Sequence, residues 1–382
     1  MFHVAAALEV ATCAGAGLSA FYYSWLNSRS GRGVSITPKL EPSELCGLRS
    51  LYGYNEHSLI GSSIDSEVWV SVDKRGAITY TESGGIWMVG GEPFASDMDL
   101  VRITNEFISY ARSLKKTVAF LPATERFARA VASDKLRIVK IGASPYFDLT
   151  TWNPRGNSAK HLRTGVNRAR RAGLVVTEVT ELSPEFRSDV ERLTGEWAGK
   201  RRAGVRFGWL FDLKPFENAE FKKYFAARDG EGHLVGILAA SPIPAREGWY
   251  LEDVVRGDNA PDGTSDILVF EALKELAAQG AKIATLGTVP LSTRGDEGIS
   301  CGRNRTVEAM LDLSRKQLKA LYNFDGLGHF KSKFVPTWWE NEYVVVTKGH
   351  LLPPRVANAL FNIAIPGGLG HVLLVTLTGS AS

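Results

Sequence analysis

The chain has 382 residues, with 45 Lys and Arg against 41 Asp and Glu and a formal net charge of +4. At 44% apolar and 23% charged residues the composition is that of a globular protein, which excludes wholesale disorder, and so small a surplus of base does not by itself mark a nucleic-acid binder. The three cysteines, Cys13, Cys46 and Cys301, include no Cys-x-x-Cys and the His include no His-x-x-x-His, so no disulfide scaffold, metal site or cofactor is expected.

Residues 1–40 form an apolar N-terminal segment. The run from Phe2 to Trp25 is broken only by Glu9 and small polar residues. At about 1.5 Å per residue it would just span a bilayer. Arg29, Arg32 and Lys39 follow it and would leave the rest of the chain at the cytoplasmic face of the cell membrane. Residues 2–25 are therefore read as a membrane contact or as a helix docked on the folded body. The basic n-region of a signal peptide is missing.

Residues 45–152 read as a first α/β unit. Val68–Val72 and Ala77–Tyr80 are strands joined by the hairpin signal Asp73-Lys74-Arg75-Gly76, and Ile86–Val89 is a third. Ser96 or Asp97 caps a helix with the stripe Leu100, Ile103, Phe107, Ala111 and Leu114. Thr117–Leu121 and Leu136–Ile141 are further strands, with a short helix between them.

Residues 153–350 read as a second, longer unit of the same order. Its first feature is a basic amphipathic helix. Arg155, Lys160, Arg163, Arg168, Arg170 and Arg171 lie in a stretch with no acid, and Leu162, Val166 and Ala169 form the apolar stripe. This is a candidate surface for RNA phosphates or an anionic lipid head group. Ser183-Pro184 opens a helix with Phe186, Val190, Leu193 and Trp197 on one face. The strands Phe221–Arg228, His233–Ala240 and Trp249–Val255 lead to a helix over Asp266–Gln279 and a strand over Lys282–Leu286. Meander, helix and returning strand, twice, is the order of GNAT-type acyltransferases. The expected fold is a tandem of GNAT-like α/β units with mixed sheets flanked by helices. Residues 351–382 form an apolar tail broken by Pro366, Gly367, Gly368 and Gly370, with Val356, Leu360, Ile363 and Ala364 on one helical face.

Three segments of the second unit carry candidate chemistry. In Trp249–Arg256 strict alternation places Asp253 with Leu251 and Val255, opposite Glu252 and Val254. A carboxylate on the apolar face of a strand needs a partner. Arg256 ends the strand, and a turn containing Asp258 leads to the next helix, the position at which such sheets bind ligands. Gly287 permits close backbone approach, and Thr288 or Ser292 can donate hydrogen bonds. Tyr322–Trp339 mixes aromatics with Lys331 and Lys333, and Phe330 and Phe334 fit a core stripe.

In this order these segments resemble the catalytic domain of the phosphatidylglycerol lysyltransferases, the aminoacyl-phosphatidylglycerol synthases. Asp253-Val254-Val255-Arg256 resembles the family's Asp-x-x-Arg, and Ala260-Pro261-Asp262-Gly263 with Asp266 its Ala-Pro-Asn-Gly turn and following Asp. Leu286-Gly287 with Pro290-Leu291-Ser292 resembles its Leu-Gly-x-x-Pro-Leu-Ser. Phe324-x-Gly326-Leu327, Phe330-Lys331-x-Lys333-Phe334 and Pro336-x-Trp338 resemble its closing motif. The basic helix, Glu196-Trp197 and Gly91-Glu92-Pro93 are similar too, and the likeness covers residues 50–350.

The resemblance implies tandem GNAT-type units that move an amino acid from aminoacyl-tRNA to a hydroxyl, phosphatidylglycerol in the best-known members and a soluble small molecule in some single-module relatives. At most one apolar segment stands where those best-known members carry a multi-span region, so lipid flipping is not expected. On this reading Asp253 orients the amino group or the acceptor hydroxyl, and Arg256 holds a phosphate or the developing oxyanion. Asp258, Gly287, Thr288 and Ser292 line the substrate site, while Lys331 and Lys333 steer the tRNA end or a lipid phosphate. The basic helix binds the tRNA backbone. Coenzyme A-dependent N-acyl transfer and a non-catalytic RNA- or lipid-binding module are the alternatives. The Pro and two acids between Arg256 and Gly263 suit a pyrophosphate poorly.

Overall fold

The computed structural model describes residues 40–62, 66–199, 213–290, 292–295, 298–299 and 324–348; the apolar runs at either end, and with them Leu291, Tyr322 and Asn323, lie outside the described residues. Helix α1 (Pro42–Tyr52) precedes the first unit. Strands β1 (Glu67–Val70) and β2 (Ala77–Ser83) pair antiparallel up to Val70 and Ala77, and Lys74 takes the positive φ of the turn between them. Strand β3 (Ile86–Gly90) completes the meander. Ser96 then caps α2 (Asp97–Ser113), accepting the Asp99 N–H. The stripe Leu100, Ile103, Phe107 and Ala111 is buried, whereas Leu114 lies past the last turn and is exposed. Strand β4 (Thr117–Thr124), α3 (Glu125–Val131) and β5 (Leu136–Asp148) follow. Phe107 packs on Trp87, Trp69, Tyr80 and Phe120, giving this half an aromatic core. Burial of each such ring stabilises the fold by about 1.5–3 kcal/mol.

The second half begins with α4 (Lys160–Arg171), β6 (Val175–Val179) and α5 (Pro184–Gly199). Strands β7 (Lys223–Arg228), β8 (Leu234–Ile243) and β9 (Gly248–Arg256) form its meander. Helix α6 (Thr264–Ala278) leads to β10 (Ile283–Thr285) and the short β11 (Val289–Pro290). Helix α7 (Phe324–Ser332) and β12 (Trp338–Thr347) close the described chain.

Among the described residues all strands join one mixed sheet in the order β1-β2-β3-β4-β12-β5-β10-β9-β8-β7-β6, with β11 on β5. The two GNAT-like units exchange their last strands. Strand β5, the end of the first unit, pairs with β10 of the second; β12, the end of the second, pairs with β4 of the first. The two exchanged strands run antiparallel along each other from Trp338–Tyr146 to Thr347–Leu136. Strand β5 is therefore seven residues longer than the apolar run 136–141 suggests.

The parallel pairs differ between the units. In the first, β3 and β4 stay paired through Gly90 and Leu121, and the Gly91 N–H continues the ladder to the Leu121 carbonyl at 3.1 Å. The segment at Gly61 lies so close over Gly90 that a Cβ would collide with the Gly90 carbonyl. In the second, β10 pairs with β9 only from Ile283–Gly248 to Thr285–Tyr250. Beyond Tyr250 the strands part, since β11 turns to β5, and a notch opens beside residues 251–256.

Helix α4 seats on the N-terminal end of α6 through two glycines. A Cβ at Gly165 would run into the Asp266 carboxylate, and one at Gly263 into the Gly165 carbonyl, while Gly263 also has φ +92°. Gly165→Ala is expected to cost about 1–3 kcal/mol, the usual range for overpacking, measured as a lower denaturant midpoint. An unchanged midpoint would show that the two helices are not in close approach.

Candidate functional site

Strand β9 carries a β-bulge that alternation alone does not reveal. Ala239 faces Asp253, but the next partner of Ala240 is Leu251, so Glu252 is the extra residue. Leu251 packs with the core beneath α6, whereas Ala239 and Val255 belong to the core on the opposite face. Cross-strand partners share a face. Asp253 therefore lies with Val255, as expected, but away from Leu251, and Glu252 comes to the same side instead of the opposite one. The bulge sets both carboxylates on one face with Tyr250. Both raise the Tyr250 hydroxyl, already pushed well above its ordinary range by burial.

Glu252 is engaged there by the nearly fully buried Lys222 ammonium and by the Ser241 hydroxyl. This ion pair had no signal in the sequence, because Lys222 precedes β7 and pairs two strands away.

Arg256 points to the other side of β9, with Val254. A cavity of about 290 Å³ is lined by Trp197, Val254, Arg256, Gly257, Asp258 and Ser265. Asp253 is not among its lining residues. The Asp253 and Arg256 side chains thus stand on opposite faces of the strand, on the two sides of the notch.

Four backbone amides of the turn after Arg256 are engaged within the chain. The Gly257 N–H donates to Val235 O at 2.9 Å, Ala260 N–H to Gly257 O at 3.2 Å and Thr264 N–H to Pro261 O at 3.2 Å. Pro261 has no N–H. The Asp258 N–H donates to the Glu196 carboxylate at 3.2 Å, whose other oxygen accepts from Arg192 at 2.8 Å. The Asp258 amide is thus taken up by a carboxylate of the chain.

The loop after β10 is held from below. Gly287 has φ +73° and lies against the Tyr250 ring, where a Cβ could not fit. Lys331, 8% exposed, donates to Gly287 O at 2.8 Å and Thr288 O at 2.9 Å. It is enclosed, not at a surface where it could steer a phosphate. Lys333 pairs with the partly buried Asp266 at the start of α6. Phe334 is fully buried and Phe330 half-buried, as their spacing predicts. The Ser292 hydroxyl accepts the Arg294 N–H at 3.1 Å and holds a turn.

Around Lys331 lies a buried polar cluster that the sequence did not reveal. Glu56 accepts from Ser144 at 3.1 Å and Tyr146 at 3.3 Å. Glu342 contacts Ser144 and Thr288. His57 Nε2 is 3.5 Å from Glu56, and its ring meets Tyr250 edge-on. Burial raises Glu342 well above the carboxylate range, with the Glu56 charge adding to it. Burial acts on Glu56 too, but the His57 hydrogen bond and charge outweigh it and hold the group near 2. Burial lowers Lys331 to about 8 against the pull of both carboxyls. One carboxylate, Glu56, thus faces one ammonium, and Glu342 keeps its proton. The available signal was Glu340 and Glu342 at i and i+2 in an apolar run, which puts two acids on one face of a strand. Their partners come from residues 54–57 and 144–146, far off in sequence.

Helix α4 buries Leu162, Val166 and Ala169 and exposes Lys160, Arg163, Arg168, Arg170 and Arg171, as its pattern predicts; Arg155 is exposed before it. Acids do reach it from elsewhere in the fold: Arg168 pairs with Asp262 at 3.0 Å and Arg170 with Glu271 at 2.7 Å. Among the described residues no group of three or more His, Cys, Asp or Glu could hold a metal ion, and no helix is long and apolar enough to cross a membrane.

A mixed sheet with a parted parallel pair, a helix N-terminus at the notch and, beside it, a second unit of the same meander–helix–strand order whose parallel pair stays closed defines a tandem GNAT-like protein. The sequence profile of the family described as "Phosphatidylglycerol lysyltransferase, C-terminal" matches residues 58–346, and the chain belongs to that family. It is 25% identical over 322 residues to the phosphatidylglycerol lysyltransferase of Bacillus subtilis (strain 168), covering 83% of this chain and 36% of that protein. To the phosphatidylglycerol lysyltransferase of Staphylococcus aureus (strain COL) it is 22% identical over 341 residues, covering 86% and 38%. The chain thus spans little more than a third of these curated relatives. The solved structure of L-PGS from Bacillus licheniformis superposes with TM-score 0.69 at 22% identity, covering 91% of this chain and 99% of that one, a shared fold.

The cluster predicts unequal carboxyls. Glu56→Gln at pH 7 is expected to cost about 3–5 kcal/mol, because it removes the buried carboxylate that His57 and, beyond it, Lys331 face, whereas Glu342→Gln stays within about 1 kcal/mol, since a protonated acid and an amide are near equivalents. The Glu56 group is depressed. Its contribution is complete above about 4.5 and is lost as pH falls toward 2, so the Glu56→Gln deficit shrinks over that window. Equal losses in denaturant titrations would show that the charge is shared evenly.

Proposed function

We propose that this protein transfers an amino acid from aminoacyl-tRNA to the hydroxyl of phosphatidylglycerol at the cytoplasmic face of the cell membrane. The observation that carries this reading is the family match over residues 58–346, which covers the notch and the strands, helices and loops of the second unit that border it. Both curated relatives are named for that lipid.

The acceptor hydroxyl attacks the ester carbonyl. A new C–O bond forms, the bond to the terminal ribose breaks, and the proton passes from the acceptor oxygen to the ribose oxygen. One ester replaces another, so positioning and charge stabilisation suffice. Arg256 faces the tRNA side of the notch and holds a phosphate of the donor end. Asp253, with Tyr250, faces the other side and orients the amino group or the acceptor hydroxyl. Gly287 and Thr288 form the lip, held by Lys331 from below. The exposed cations of α4 follow the tRNA backbone. Coenzyme A-dependent acyl transfer is disfavoured by the engaged amides of Gly257, Asp258, Ala260 and Thr264, and a soluble hydroxyl acceptor is an outcome of the assay below.

Purified chain given a panel of charged tRNAs and phosphatidylglycerol vesicles should yield aminoacylated lipid. Glycerol-containing small alcohols in place of vesicles test the soluble acceptor. Arg256→Ala and Asp253→Asn should each lower transfer by at least tenfold, a loss of about 1.4 kcal/mol of transition-state stabilisation. Full activity in both would remove these two residues from the site. Replacing Lys160, Arg163 and Arg171 together by Ala should weaken tRNA binding and reduce its salt slope by roughly 1 for each phosphate that the helix no longer neutralises. An unchanged slope would take the tRNA off this helix.

A further inference from the structure

The cavity beside Arg256 has a composition that the transfer chemistry does not require. It offers the ring of Trp197, the Arg256 guanidinium, the Asp258 carboxylate and the Ser265 hydroxyl around about 290 Å³. Val254 and Gly257 supply an apolar wall and a flat one. Gly257 has no room for a side chain, because Leu193 and the Glu196 carboxylate abut it. The Gly257, Asp258, Ala260 and Thr264 amides of the turn are engaged within the chain, that of Asp258 by the Glu196 carboxylate. Those four engaged amides and the Glu196 carboxylate beside them disfavour a phosphate chain at the turn. An aromatic face stacks on a nucleobase of any kind. A carboxylate and a hydroxyl pair with ribose hydroxyls or an exocyclic amine. The guanidinium at the strand end meets the one phosphate that leads out.

The surroundings give that phosphate a direction. The loop that supplies Gly257 and Asp258 also supplies Asp262, which pairs with Arg168 of the basic helix at 3.0 Å. Helix α4 is seated on the N-terminal end of α6, where Ser265 lies, through Gly165 and Gly263. The basic helix is thereby tied, through Arg168 and Asp262, to the loop that lines a cavity suited to one nucleoside.

We propose that this cavity binds the unpaired 3′-terminal nucleoside of the tRNA, with its base on Trp197 and its ribose toward Asp258 and Ser265, so that the 2′,3′ end and its ester point into the notch. The inference rests on the aminoacyl-transfer reading and adds to it the subsite that holds the donor. Trp197 then acts as a specificity residue for the donor end.

The test uses the full chain and an uncharged tRNA in two forms, one ending in CCA and one truncated to CC. Fluorescence anisotropy should find the CCA form bound roughly tenfold more tightly, in line with one stacked base. Trp197→Ala should bring the two forms within about twofold, and Trp197→Phe should restore part of the difference. Free adenosine should compete with the CCA form and not with the CC form, and acetyl-coenzyme A should compete no better than adenosine. Equal binding of the two tRNAs by the unaltered chain overturns the proposal without any variant. Discrimination retained in Trp197→Ala overturns it as well, as does much stronger competition by acetyl-coenzyme A. The catalytic reading fails separately. A chain that distinguishes CCA from CC yet transfers nothing keeps this subsite and loses the reaction, whereas transfer without discrimination keeps the reaction and loses the subsite.

Discussion

Strands β5 and β12 hold the molecule together by pairing with each other. Each is the last strand of one unit and lies inside the sheet of the other, and they run along each other from Trp338–Tyr146 to Thr347–Leu136. Once they are paired, neither unit closes its sheet alone. The exchange also sets Glu340 and Glu342 beside Ser144 and Tyr146, on the face covered by residues 54–57. Arg246 spans the same junction, over the Tyr146 ring at 4.3 Å and paired with Glu340 at 3.0 Å. The buried charges at this junction have partners within the chain, Glu56 in Ser144, Tyr146 and His57 and Lys331 in two carbonyls, whereas His57 Nδ1 and Arg246 Nη1 are buried without a hydrogen bond.

The two units put the same architecture to different uses. In the first, the parallel strands remain paired to their ends and the Asn55–Ser62 segment lies over them, with the Asn55 amide donating to Pro122 O at 2.8 Å. That cleft is filled by its own chain. The filling segment also delivers Glu56 and His57 to the cluster under the Gly287 loop of the second unit. The first unit therefore works as a wall and a floor for the second. In the second unit β10 leaves β9 after three pairs, and the bulge at Glu252 rotates the carboxylates of residues 252 and 253 to one side while Arg256 looks to the other. Two faces of one strand meet across a gap in the sheet, an arrangement suited to two substrates that approach from opposite sides.

Much of the fold was legible because periodicity reports burial. The stripes of α2, α4 and α5 and the hairpin at residues 73–76 came from spacing alone, since a buried face repeats at the period of its own element. The ends of strands were less legible. Residues 142–148 read Gly-Ala-Ser-Pro-Tyr-Phe-Asp, which lacks a clear two-residue alternation because one face of β5 meets an apolar core and the other a polar cluster. Strand β12 hides for the same reason behind Trp338-Trp339-Glu340.

The tandem unit order, the basic face of α4 and the ordered motifs from Asp253 to Lys333 follow from the amino-acid order, because these are local patterns of residue type and spacing. Which side chains share a site emerged from the three-dimensional arrangement alone. A single extra residue in β9 changes which carboxylates stand together, a property of register between strands and not of the strand itself. The burial of Lys331 between Glu56 and Glu342 depends on an exchange of strands separated by about half the chain. Charge on a surface helix can be read from composition, but the environment of a buried charge comes from the residues that long-range contact brings to it.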